Sequence, residues 1–276
     1  MNIVLSLLSA FSAGTSDFLG GLASRRAPAV VVTMYSQAMG FVVAVAIAAA
    51  AGGEPTTADL WWGALGGLGG AAGLLSIYAG YASARVAIAA PVAGVGAAAI
   101  PVLFDVATGD DLTATAGVGV VLGLVAIALV SMGRSDAQGT VRQSLLYGLG
   151  GAFGLGFLLL CLGQASDDGG VWTVAPTRLT GCLVMLVVVL MRGAPRQFPR
   201  VVWQHVVGIG VLGTGANALF VAATRLGSIS TAAVLVSMFP AVTVLWARAV
   251  FGEKLRPVQV VGLGVALLAV GLIAAG

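Results

Sequence analysis

Residues 228–276 read SISTAAVLVSMFPAVTVLWARAVFGEKLRPVQVVGLGVALLAVGLIAAG. The stretch contains two apolar segments of about 20 residues, and each is long enough to cross the ~30 Å hydrocarbon core of a bilayer as a helix. A short polar link at residues 252–257 separates the two segments. The pattern therefore predicts two membrane-spanning helices joined by a tight loop.

A similar pattern occurs earlier in the chain. In residues 86–133, the polar sequence GDDLT at 109–113 lies between two apolar runs. A shift of roughly 142 residues brings this link close to 252–255 and aligns Ala10-Phe11 with Ala152-Phe153. We interpret the chain as an internal duplication, with a first repeat at 1–133, a linker at 134–142 and a second repeat at 143–276.

The composition indicates a membrane protein. Of 276 residues, 59% are hydrophobic and only 8% are charged, whereas a soluble domain carries about 25% charged residues. The charges form short clusters between long apolar runs, as in polytopic helical membrane proteins. The two cysteines, Cys161 and Cys182, both lie within apolar runs, so we interpret them as small packing residues and not as a disulfide or a metal site.

Ten apolar spans follow one another, which predicts an all-α membrane protein of two five-helix repeats. The first span lacks a basic segment before it and is expected to be a retained helix, not a signal peptide. The third span has glycines at several overlapping small-xxx-small positions, which allow close helix contact. The predicted spans are 3–22, 29–51, 60–81, 86–107, 114–132, 145–165, 171–191, 201–223, 229–251 and 258–275.

The distribution of charge predicts the orientation of the helices. Arginine and lysine follow the odd-numbered spans, while the links after even-numbered spans are acidic and contain one base, Arg225. The positive-inside rule then places both termini on the non-cytoplasmic side. Because each half has an odd number of spans, the two halves insert with opposite topology. This is the inverted-repeat plan of secondary transporters, in which the substrate site lies near the bilayer midplane.

The second half resembles the end of an EamA-type repeat, from the ten-helix branch of the drug/metabolite transporter superfamily. The resemblance rests on residues 230–233 (STAA), 239–240 (FP) and 251–255 (FGEKL), followed by Gln259 and Gly262. The first half is similar at residues 90–92 and 109–112, with Asp where the family usually has Glu, and at 17–26 and 36–37. The resemblance implies two inverted repeats around a central cavity and transport of small metabolites or drugs, often outward.

Asp17 is the first candidate for a functional residue. It lies on a face of small residues with Ala13, Gly14, Gly20 and Gly21. A charged residue inside a span costs roughly 2.5–3.5 kcal/mol on insertion scales, so it is expected to face the bundle interior. Either it releases and takes up protons coupled to cargo, or it forms a structural pair, for example with Arg25.

Arg178 is the second candidate. Its counterpart in the first repeat is Ser36, beside Gln37, so both repeats can present polar groups to one cavity. The planar guanidinium suits a carboxylate or phosphate on a substrate. The alternatives are pairing with Asp167 or Asp168, or extension toward the membrane surface.

The remaining candidates are polar or aromatic residues within the spans. Asn217 either lines the cavity or forms an interhelical hydrogen bond. Tyr78 and Tyr81 share a helix face near a membrane boundary, which favours packing in an aromatic belt. Ser237 precedes Phe239-Pro240, where the proline within the span either forms a hinge or kinks the helix for packing alone. The complete set of candidate substrate-binding or coupling residues is Asp17, Tyr35, Gln37, Tyr78, Arg178, Asn217 and Ser237.

The sequence therefore favours a secondary transporter in a bacterial inner membrane. We expect it to export an amino-acid-like or similar small polar or zwitterionic compound by alternating access. A multidrug exporter of lipophilic cations and a passive channel or scaffold are the alternatives. No hydrolase or metal-ligand motif occurs, so an enzyme is not expected. We expect no cofactor, with proton coupling as a hypothesis, and no nucleic-acid partner. The expected partners are a small-molecule substrate and membrane lipids, with the protein a monomer or homodimer.

Overall fold

The computed structural model describes residues 2–108, 113–132, 139–164, 166, 168–194, 199–226, 235–236, 238–251 and 256–275. These residues contain ten α-helices, and a single 3-10 turn, Gly170–Thr173, precedes the seventh. The helices are α1 (Asn2–Ser24), α2 (Ala29–Ala51), α3 (Thr57–Ser83), α4 (Val86–Thr108), α5 (Ala114–Met132), α6 (Val141–Gly163), α7 (Val174–Arg192), α8 (Arg200–Arg225), α9 (Phe239–Phe251) and α10 (Pro257–Ala275).

The predicted all-α, ten-helix membrane fold is confirmed. Within the described residues, six helices are long and apolar enough to span a membrane, namely α1, α2, α3, α6, α7 with its preceding turn, and α8. The other four contain apolar stretches of 10–17 residues. The outer surface is rich in large apolar side chains such as Phe153 and Met191, as expected for helices that face lipid. The predicted polar link at 252–255 and most of the predicted linker at 134–142 lie outside the described residues.

Helix packing follows the predicted duplication. When each helix is exchanged for its counterpart in the other half, the contact of α1 with α8 becomes that of α6 with α3, and α1 with α9 becomes α6 with α4. In the same way, α2 with α8 becomes α7 with α3. The pairs α2–α7, α4–α9 and α5–α10 each join a helix to its own counterpart. The two halves are therefore interleaved, and the boundaries of the repeats along the chain stay a prediction.

The glycines of α3 bring two other helices into backbone contact with it. A Cβ added at Gly63 or Gly67 would collide with the carbonyl oxygens of Thr173 and Thr177, at the start of α7. On the α6 side, Gly73 lies directly against Gly154. These contacts confirm the close approach predicted from the small-xxx-small pattern.

The turns after α1 and α3 and the start of α6 meet at one end of the bundle, which we call the basic end. Arg25, after α1, donates a hydrogen bond from Nη2 to the carbonyl oxygen of Tyr81 near the end of α3 (3.4 Å). The backbone N–H of Arg85, between α3 and α4, donates to Ser144 Oγ at the start of α6 (3.1 Å). The basic end thus contains turns from both halves, as the alternating charge pattern requires.

The opposite end, which we call the acidic end, joins the α2–α3 loop to the α6–α7 loop. The backbone N–H of Glu54 donates to the carbonyl oxygen of Asp168 (3.0 Å). The buried Asp59 forms a capping box with Thr56 at the start of α3. The same carboxylate accepts hydrogen bonds from the backbone N–H (2.7 Å) and hydroxyl (2.8 Å) of Ser166. Asp59 therefore links the two halves as well as capping α3.

We expect Asp59→Ala to lower the thermal stability of the protein. The substitution removes a charged acceptor that serves Thr56 and Ser166, and hydrogen bonds to charged groups are worth about 1.5–3 kcal/mol each before solvent at the membrane surface weakens them. Thermal unfolding in detergent, followed by tryptophan fluorescence, should show a decrease in Tm of several degrees. Glu54→Ala is the matched control, because Glu54 is exposed and contributes its backbone N–H to the loop contact. Equal Tm values for the two variants would contradict the role of Asp59.

Candidate functional site

A cavity lies at the centre of the bundle, between the two halves. Its empty space, counted together with the open mouth, is about 690 Å³. Residues from α1, α3, α4, α6, α7, α8 and α9 line it. Because helices of both halves contribute, movement of one half relative to the other would reshape the cavity.

A large apolar cluster closes the cavity toward the basic end. Leu74 and Tyr78 of α3 belong both to this cluster and to the cavity wall, so the cluster forms the cavity floor. Its buried members come from α1, α2, α3, α4, α8 and α9, and the larger ones are Phe18, Tyr78, Tyr81, Val86, Val206, Ile209 and Val244. Toward the acidic end, Leu159 and Val236 of the cavity wall pack against the smaller cluster of Phe220 and Ala223.

Tyr78 and Tyr81 are core residues and do not form the aromatic belt that their position predicted. Their side chains are 0% and 1% exposed. The ring of Tyr78 packs on Gly20, and Tyr81 packs on Gly21. The adjacent glycines of α1 leave the space that the two rings occupy, so the belt interpretation was wrong and the floor of the cavity is aromatic.

Arg178 reaches the cavity from the first turns of α7. Its Nη1 donates a hydrogen bond to Oε1 of Gln37 on α2 (2.8 Å), and the side chain passes close to Gly40 and Gly213. A larger residue at either position would take up space beside the Arg178 side chain. The pairing of Arg178 with Asp168 that we considered is not observed, and Asp167 lies outside the described residues; Gln37 accepts a hydrogen bond from the guanidinium.

Asp17 enters the cavity from α1, on the face predicted for it. Serines on the same helix anchor that face to α8: Ser9 Oγ donates to the carbonyl oxygen of Ala216 (2.7 Å) and Ser16 Oγ to that of Ile209 (3.2 Å). Asp17 is buried (6% exposed). It is near enough to Arg178 for their charges to interact, but the two side chains, both in the described part of the chain, are not in ion-pair contact.

The structure gathers most of the predicted site residues in this cavity. Asp17, Tyr78, Arg178 and Asn217 line it, and Gln37 contacts Arg178 from behind. Tyr35 does not join them; it packs edge-on against Trp203, with ring centroids 4.9 Å apart. Ser237 lies outside the described residues.

Sequence reasoning missed the remaining lining residues. Ser16 precedes Asp17 and was not selected, although a hydroxyl within a span was a usable signal. The leucines at 155, 158 and 159 and Phe239 form much of the apolar wall, and nothing distinguishes them in sequence from residues that face lipid.

The chemistry available in the cavity is one acid, one base and polar amide and hydroxyl groups in an apolar surround. Among the residues that the structure describes, no group of three or more His, Cys, Asp or Glu side chains is placed to hold a metal ion. The described cysteines, Cys161 and Cys182, are free thiols. The arrangement suits recognition of a small molecule by charge and shape.

Comparison with known proteins agrees with this architecture. None of the curated proteins compared with the chain matches it significantly. A crystal structure of a protein that is 15% identical to this chain has a TM-score of 0.69 and covers 99% of this chain and 98% of its own; at that identity the likeness shows the fold alone. Residues 142–275 match the model of the EamA-like transporter family. The chain therefore carries an EamA-like transporter domain in its second half, which confirms the resemblance noted in its sequence.

Proposed function

We propose that this protein is a secondary transporter that exports a small amino-acid-like or similar zwitterionic metabolite across a bacterial inner membrane. The observation that carries the proposal is the central cavity, which places Asp17 and Arg178 between the two halves without pairing them. One buried acid and one buried base complement a cargo that carries both charges. An apolar wall complements the rest of such a cargo.

Alternating access is the proposed mechanism. The cavity floor at the basic end is thick and aromatic, whereas the cluster toward the acidic end is small. In our proposal the basic end faces the cytoplasm, both termini lie on the opposite side, and the described conformation has its cavity closed to the cytoplasm. Rocking of the two interleaved halves then opens the basic end and closes the acidic end.

Proton coupling through Asp17 is the second part of the proposal. The charged and titratable groups that interact with Asp17 are Arg178 on α7 and Tyr78 and Tyr81 on α3. The charge of Asp17 is neutralised either by a proton or by the ammonium group of the cargo, and the two exclude each other. This competition is the basis of exchange between proton and cargo. Both cannot occupy one carboxylate in an apolar site at low cost.

An exporter of lipophilic cations is the second candidate. The apolar wall and the carboxylate of Asp17 favour it, whereas the buried guanidinium of Arg178 repels a cation. A passive channel is less consistent with a cavity closed on one side by the cluster around Tyr78.

Counterflow in proteoliposomes tests the proposal. We expect a labelled amino acid to enter vesicles faster when they are loaded with excess unlabelled amino acid, with a rate that saturates. A panel of amino acids, nucleosides and lipophilic cations identifies the cargo class, and protein-free vesicles provide the background. Flux that does not saturate and shows no counterflow would contradict a carrier and support a channel.

A further inference from the structure

Arg178 brings unused hydrogen-bond donors into the cavity. The side chain is 6% exposed and has five N–H donors in a fixed fork. Nη1 donates to Gln37, while Nε is buried and has no partner among the residues that the structure describes. A buried donor without an acceptor is costly, so such groups in a binding cavity indicate that a ligand supplies the acceptor.

Tyr78 provides a second donor on the cavity floor. Its hydroxyl is fully buried, has Ser16 and Ser36 as polar neighbours, and meets the geometry of a hydrogen bond with neither. The hydroxyl protons of those serines are directed to the carbonyl oxygens of Ile209 (3.2 Å) and Thr33 (2.9 Å). Both serines keep an accepting oxygen, but neither oxygen meets the geometry of a hydrogen bond with the Tyr78 hydroxyl, which has no partner among the described residues.

The missing partner of both donors is a hydrogen-bond acceptor. Asp17 does not fill the role, because it is not in ion-pair contact with Arg178. We propose that Arg178 and Tyr78 form a receptor for the carboxylate of the cargo, with Gln37 as the positioning residue that holds the guanidinium. This inference rests on the proposed function and specifies the cargo as a small carboxylate with an apolar substituent.

A single carboxylate fits the charge of the site better than a phosphate does. A phosphate dianion would exceed the single positive charge of Arg178, and Asp17 adds a further negative charge in the same apolar space. A planar carboxylate also matches the guanidinium fork. The apolar substituent then faces Leu155, Leu158 and Phe239, and Asp17 decides how well an added ammonium group is accepted.

Three ligands with one apolar group and different heads test the receptor. Leucine carries both charges, 4-methylpentanoate carries only the carboxylate, and leucinamide carries only the ammonium. With the purified full-length protein, we expect leucine and 4-methylpentanoate to raise Tm in a concentration-dependent manner and leucinamide to have no effect. Carboxylates of increasing apolar size extend the series to larger cargo. Stabilisation by leucinamide alone, or by no carboxylate in the series, would overturn the proposal.

Tyr78→Phe is the sharpest variant because it removes only the hydroxyl and keeps the ring on Gly20. We expect Kd for the carboxylates to rise about tenfold, while Tm of the ligand-free protein stays equal or increases, since a buried donor without a partner is removed. A structural role for the hydroxyl would instead lower Tm. An unchanged Kd would exclude Tyr78 from the receptor.

Variants of Arg178 and Gln37 complete the test. Arg178→Gln is expected to raise the carboxylate Kd about a hundredfold, with size-exclusion chromatography as the check that it folds. Gln37→Leu is expected to reduce the preference for leucine over leucinamide, and Gln37→Glu to retain it, because it keeps an acceptor for Nη1. Equal preferences in both Gln37 variants would remove its positioning role.

Transport assays separate this inference from the proposed function. Carboxylate binding without counterflow would contradict the carrier and leave the receptor intact. Counterflow of cations without carboxylate binding would leave the carrier intact and overturn the receptor.

Discussion

Asp17→Asn is expected to abolish substrate flux driven by a pH gradient, with a decrease of at least tenfold relative to the native protein. Asn has nearly the same shape as Asp but cannot exchange a proton, so the packing of α1 against its neighbours is preserved. Counterflow at equal pH on both sides, which needs no proton movement, is expected to persist at a higher substrate concentration, because the cargo ammonium loses its charged partner while Arg178 still faces the carboxylate. The measurement is uptake into proteoliposomes with and without an imposed pH gradient.

The structure supplies a control for this experiment. Asp168 is exposed at the acidic end, and its backbone carbonyl rather than its side chain contacts Glu54. Asp168→Asn is therefore expected to leave gradient-driven flux unchanged. Driven flux that survives in Asp17→Asn would show that the coupling proton binds elsewhere, and loss of counterflow at every substrate concentration would show that Asp17 is required for cargo exchange itself and not only for coupling.

Gly154→Ala is expected to destabilise the fold strongly. The added Cβ on α6 would collide with the backbone of Gly73 and with the carbonyl oxygen of Gly69, both on α3. Backbone atoms cannot yield as the end of a flexible side chain does, so α3 and α6 must separate along their contact. Overpacking of this kind costs on the order of 1–3 kcal/mol or more, and Gly154→Val is expected to leave little folded protein.

Gly163→Ala is the matched control on the same helix. Apart from its chain neighbours and the backbone of its own helix, no atom of the described residues lies within 4 Å of a Cβ added at Gly163, and Ala favours a helix over Gly. We expect its Tm to equal or exceed that of the native protein, while Tm of Gly154→Ala decreases by several degrees. Similar values for the two variants would show that α3 and α6 are less closely packed than described.

Most of the site could be predicted because a polar residue in an apolar span has few acceptable positions. Asp17, Arg178 and Asn217 were selected on that basis, and all three line the cavity. Tyr35 was the exception. It is two residues from Gln37, and side chains at that spacing on a helix point in widely different directions. Once Gln37 faces Arg178, Tyr35 must face elsewhere.

Burial of the tyrosines could not be predicted because it depends on a partner helix. The position of Tyr78 near the predicted membrane boundary suggested an aromatic belt. Only the packing of α3 on α1 shows that its ring lies on Gly20. The apolar wall of the cavity could not be predicted either, since Leu155 and Leu158 have the same sequence environment as a leucine that faces lipid.

The sequence by itself determined the class of protein, the number of helices and the alternation of charge between their links. These features follow from the length of apolar runs and from the cost of placing charge or bare backbone in a membrane, which act on each segment separately. Only the tertiary structure decided which charges remain unpaired and where the cavity lies. Those properties depend on contacts between helices distant in sequence, as when Gln37 of α2 accepts a hydrogen bond from Arg178 of α7, whose Nε has no acceptor within the described part of the chain.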